Sequence, residues 1–150
     1  MITTHISRNY LITAIFHIKS ILQIDEYKIT TMEYNLFRSY LLEKIQQNNI
    51  DATIIDDYLD EQYFYYDNSE SCIRLKNAEY LGLKKAKARY QGYLPFEILE
   101  FLYSDEVLDI VYKIILEDKE RRVTTLNEEI TSLKSKYTNY KLLQRIKKTD

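Results

Sequence analysis

A chain of 150 residues with only two glycines and one proline has few ways to make tight turns. Two-residue hairpin turns need positive φ, which glycine alone adopts without steric cost. This scarcity argues against an all-β fold and points to helices. Gly82 and Gly92 stand alone, so neither a dinucleotide-binding fingerprint nor a Walker-type phosphate loop can be assembled from them.

Hydrophobic residues make up 45% of the chain and charged residues 29%, the balance of a folded globular protein. The length suits one domain with an appended helix, able to bury a core without metals or disulfides. Cys72 is the one cysteine and reads as a small buried apolar residue. The apolar run Tyr10 to Ile24 is broken by Thr13, His17, Lys19, Ser20 and Gln23, which makes it too polar and too short to span a bilayer. It has neither the basic flank nor the cleavage site of a signal peptide, so a cytoplasmic location, bacterial or inside a host cell, is expected.

The spacing of apolar residues predicts about six helices. The first, over 7–24, carries Leu11, Ile15, Ile18 and Leu22 on a face broad enough to imply near-complete burial, with Ser7 as its cap. His17 reads there as a partly buried, satisfied side chain. The second, over 31–48, opens with Thr30 and Glu33 in capping-box spacing. A short third helix, 52–60, is expected after Asp51, with Ile54, Ile55, Tyr58 and Leu59 on one side. Residues 63–76 break the pattern: the Tyr63–Tyr66 run favours strand, Asp67–Ser71 is turn chemistry, and Cys72–Lys76 alternates. A β-hairpin is expected there. A fourth helix over 78–90, a fifth over 95–103 opened by Pro95, and a sixth capped by Ser104 complete a globular domain of residues 1–118.

The segment 119–150 has a different texture. Val123, Leu126, Ile130, Leu133, Tyr137 and Tyr140 are spaced 3, 4, 3, 4, 3, the narrow seam of a coiled coil rather than the broad face of a core helix. They are the candidate dimer seam, although a helix packed on its own domain would also use such residues. The helix of 105–147 is expected either as one rod or as two pieces bent near Arg121–Thr124.

No residue set carries recognisable chemistry. His5 and His17 have no zinc spacing to each other or to Cys72, Asp67–Glu70 lacks the calcium-loop pattern, and Asp56 with Asp60 forms an acidic surface rather than an acid–base pair. No catalytic residue, metal or cofactor is expected. Charge, in contrast, is laid out in blocks. Asp51 to Glu70 holds seven acids and no Lys or Arg, whereas Arg74 to Arg89 holds six bases against Glu79. Arg74, Lys76, Lys84, Lys85, Lys87 and Arg89 are therefore the candidate nucleic-acid-binding residues of an alternative reading. The order of helices followed by a hairpin imitates a winged helix, but a recognition helix at 52–60 would carry Asp56, Asp57 and Asp60 and repel phosphate.

The expected function is a non-catalytic protein-binding module: an adaptor, inhibitor or assembly factor with an unidentified protein partner, acting as a homo-oligomer away from membranes. Its 15 tyrosines suit a binding surface, and its Ile, Tyr, Asn, Lys and Asp content suits an AT-rich genome such as that of a virus, phage or mobile element. The alternative is a dimeric nucleic-acid-binding regulator using 74–89.

Overall fold

The computed structural model describes residues 3–24, 28–76 and 94–148. It is mainly helical, with small sheets. Element order is β1 (Thr4–Ser7), α1 (Arg8–Ile21), β2 (Lys28–Thr30), α2 (Thr31–Gln47), β3 (Ala52–Ile55), β4 (Phe64–Asp67), β5 (Cys72–Leu75), α3 (Phe96–Leu102) and α4 (Asp105–Lys148). The chain divides into two compact units, residues 1–115 and 116–150.

Helix α1 is the centre of the first unit. Nine consecutive residues, Leu11 to Lys19, are buried. A helix enclosed on all sides has to be apolar on all sides, which accounts for the breadth of its hydrophobic face. Around it pack Phe37 and Leu41 of α2, Phe64 of β4, Ile98 and Leu102 of α3, and Val107 and Val111 of α4. The rings of Phe16 and Phe64 stack 5.8 Å apart, joining α1 to the hairpin.

The cap of α1 differs from the expectation. Ser7 makes no side-chain cap bond. The Arg8 amide donates instead to Oδ1 of Asp57 at 3.2 Å, so a carboxylate 49 residues away serves this N-terminus. Asn9 ties the same segment down: its Nδ2 donates to the Tyr58 carbonyl and its Oδ1 accepts from the Asp60 amide. Helix α2 begins as its sequence predicts. Thr30 Oγ1 accepts from the Glu33 amide while the Glu33 carboxylate accepts from the Thr30 amide.

The number of helices is corrected from about six to four among the described residues. The expected helix over 52–60 is a strand followed by irregular chain. Thr53, Ile54 and Ile55 are β-branched and favour extended backbone. The four residues of β3 pair in parallel with β1, with Ile6 opposite Ile54. Asp51 caps no helix; its carboxylate accepts from Thr3 Oγ1 and its carbonyl from the Thr4 amide. The recognition helix of a winged-helix reading is therefore absent. The helix expected over 78–90 lies outside the described residues.

The hairpin of 63–76 forms as β4 and β5, with Phe64 opposite Leu75 and Asp67 opposite Cys72. β2 adds on the far side of β5, giving a three-stranded antiparallel sheet in the order β2-β5-β4. With so little glycine available, Gln23, Asn49 and Ser71 take positive φ at three turns.

Ser104 Oγ accepts from the Val107 amide at 3.4 Å, the expected cap of α4. Helical structure then continues without a break through Arg121–Thr124 to Lys148. Among the described residues no helix is long and apolar enough to cross a membrane.

Candidate interaction surfaces

Three places gather side chains that could meet a ligand or partner. The first is the turn of the β4–β5 hairpin. Asp67, Glu70 and Cys72 place possible metal-ligating atoms within 4.8 Å of one another. The cation held there is Arg74, whose Nε lies 2.8 Å from Asp67 Oδ2 and whose Nη2 meets Glu70. Hydrogen bonds from Ser69 and Arg74 hold the Asp67 carboxyl down at about 2. Burial pushes the Cys72 thiol up, away from the reactive thiolate. This cluster is a lock on the turn.

The same contacts bear on the basic segment. Arg74 is committed to two carboxylates of its own hairpin. Lys76 is exposed at the hairpin end, where its amide donates to the Tyr63 carbonyl. Lys84, Lys85, Lys87 and Arg89 lie outside the described residues. The acidic block is also engaged: Asp56 accepts from Tyr34 Oη and Arg38 Nε, and burial, helped by that bond, raises the Tyr34 phenol. Asp56 and Asp60 share no helix face, because no helix is there.

The second place is an open groove of about 790 Å³ in the first unit, between the end of α2 with Asn48–Asp51 and α3 with Ser104 and Glu106. Lys44 on its wall lies 3.0 Å from Glu106 Oε1 and 5.2 Å from the Phe101 ring centroid. Tyr40 donates to the same carboxylate at 2.6 Å, which pushes its phenol up to about 12 and holds the Glu106 carboxyl below the usual range. Nothing in the sequence points to this groove. Its walls come from segments more than 40 residues apart, and none carries a motif.

The third is the tail. The apolar residues of the seam are all open to solvent, from 42% for Ile130 to 67% for Leu133, with Val123, Leu126, Tyr137 and Tyr140 between. A single helix cannot bury its own stripe, so these side chains stay open to solvent unless something covers them. Leu116, seven residues before Val123 and also exposed, extends the series upstream. Its spacing was a usable signal, masked by Lys119 at the intervening seam position.

Comparison with family models, with curated proteins and with solved structures found no match to the chain.

Proposed function

We propose that the protein is a non-catalytic protein-binding module that works as a homodimer, joined along Val123–Tyr140 of α4, with its first unit left to engage a partner protein. The observation that supports this reading is the exposed seam: six apolar side chains at heptad spacing on one helix. Burying a Leu or Ile side chain is worth about 1.5–3 kcal/mol, so several such layers can offset the cost of association.

Exposed tyrosines support the partner-binding half. Tyr58, Tyr65 and Tyr66 all present their rings to solvent from one stretch of the first unit. Tyrosine gives large contact area for little lost side-chain freedom. An adaptor, inhibitor or assembly factor, of the kind that AT-rich viruses and mobile elements encode, would use surfaces of this type.

The test is the pair of substitutions Leu126→Asp and Leu133→Asp, followed by light scattering. The double variant should be monomeric with unchanged secondary structure. A variant that keeps the mass of a dimeric parent would place the association elsewhere and sink the reading.

A further inference from the structure

The heptad seam leaves open how a second helix lies on it, and the charges flanking it differ between orientations. With Val123, Ile130 and Tyr137 at position a, and Leu126, Leu133 and Tyr140 at position d, the flanking g positions are Arg122, Glu129 and Lys136. The flanking e positions are Glu120, Asn127, Lys134 and Lys141. Charge along this segment is polarised. Acids and bases mix up to Glu129, where Arg121 and Arg122 lie within 4.0 and 2.9 Å of Glu117 and Asp118. Beyond Ile130 come Lys134, Lys136, Lys141, Arg145, Lys147 and Lys148 with no acid before Asp150. Among the described residues Glu120, Glu129, Lys136 and Lys141 make no ion pair within the chain, and all four are exposed.

We propose that the seam is covered by α4 of a second copy running antiparallel, with the two-fold axis crossing between Ile130 and Leu133. This rests on the reading of α4 as a self-association helix and assigns its orientation and register.

Two independent features select this arrangement. The first is charge. In an antiparallel pair, g positions face g and e positions face e. In this register Glu129 meets Lys136 of the second copy, and Glu120 meets Lys141 of the second copy, each pair occurring twice. Sliding one heptad either way sets Glu129 on Glu129 of the second copy, or Lys136 on Lys136 of the second copy. A parallel in-register pair, whose g residues face the e residues five positions on, keeps one attractive pair, Glu129 with Lys134 of the second copy, but loses the Glu120–Lys141 pairing and sets Lys136 against Lys141 of the second copy. Like charges so placed destabilise the pair.

The second feature is volume. Antiparallel packing sets a against d. The layers become Val123 with Tyr140 of the second copy, Leu126 with Tyr137 of the second copy, and Ile130 with Leu133 of the second copy. Each tyrosine then meets a smaller aliphatic residue, and layer volume stays even along the seam. Parallel packing would set Tyr137 on Tyr137 and Tyr140 on Tyr140 in consecutive layers at one end of the seam, with a much thinner Val123 layer at the other. The helix dipoles also cancel only in the antiparallel arrangement.

The test uses the full chain. Val123→Cys and Tyr140→Cys variants are prepared separately, with the parent, whose Cys72 is buried, as the oxidation control. In the antiparallel register the Val123 positions of the two copies lie about 25 Å apart, at 1.5 Å per residue, so neither variant cross-links with itself. A mixture of the two does. A second measurement is the dimer affinity of Lys136→Glu. It should fall about tenfold, because two attractive pairs become repulsive, and Lys136→Glu combined with Glu129→Lys should recover it. In a parallel dimer Lys136→Glu would instead tighten binding. Self-cross-linking of Val123→Cys, a tighter Lys136→Glu dimer, or no cross-link from the mixture overturns the orientation or register while leaving self-association standing. A parent protein that stays monomeric overturns both.

Discussion

The ammonium of Lys19 on α1 lies 2.8 Å from the carboxylate of Glu33 on α2, and both side chains are almost wholly buried. Lys19 also donates to the Lys28 carbonyl at 2.6 Å, and the other Glu33 oxygen accepts from the Thr30 amide. One ion pair thus joins α1, β2 and the start of α2. It explains how a lysine can stand within nine consecutive buried residues.

Breaking such a pair on one side leaves an uncompensated charge. Lys19→Met should lower unfolding free energy by about 3–5 kcal/mol. Adding Glu33→Gln, which keeps an acceptor for the Thr30 amide, should recover part of the loss. Chemical denaturation of the three proteins checks this. A single variant within 1 kcal/mol of the parent, roughly the size of an ordinary hydrogen bond, would show that the pair is not buried as described.

The start of α1 gives a ranking. Loss of a helix cap costs about 0.5–2 kcal/mol. Asp57→Ala should cost an amount in that range, whereas Ser7→Ala, which removes no cap bond, should be close to neutral. The opposite ranking in a thermal melt would return the cap to Ser7.

The hairpin turn predicts an acid dependence. Asp67 titrates at about 2 in the folded chain, below its ordinary 3.8, because Ser69 and Arg74 hydrogen-bond its charged form. Its contribution to stability is therefore complete above pH 4, and is lost as pH falls toward 2. Asp67→Asn should abolish that part of the dependence and lower stability at neutral pH. The Asp67 carboxyl resonance, followed by NMR against pH, reads the midpoint directly. A midpoint near 4 would contradict the Ser69 and Arg74 contacts.

Local signals were legible in the chain. Thr30 and Glu33 lie three residues apart and make the predicted capping box. The Tyr63–Tyr66 run and the Asp67–Ser71 turn specify the hairpin from within 14 residues. Ser104 starts α4 as its hydroxyl and the following acids imply. What was not legible depends on partners far along the chain. Ile54, Ile55, Tyr58 and Leu59 fit a helical spacing, and the β-branched run Thr53–Ile55 becomes a strand by pairing with Thr4–Ser7, nearly 50 residues away. Asp57 is one acid among seven in its block until the fold sets it at the Arg8 amide. Of the candidate seam, all six residues were readable from spacing alone, since a heptad needs no tertiary contact to be seen. The groove between α2 and α3 left no mark in the sequence.

In the proposed dimer the seam from Val123 to Tyr140 is covered by a second copy. Sedimentation equilibrium of the full chain across a concentration series tests it directly. The mass should rise with concentration from 18.1 kDa to twice that value and no further. A mass that stays at 18.1 kDa throughout the series would contradict it.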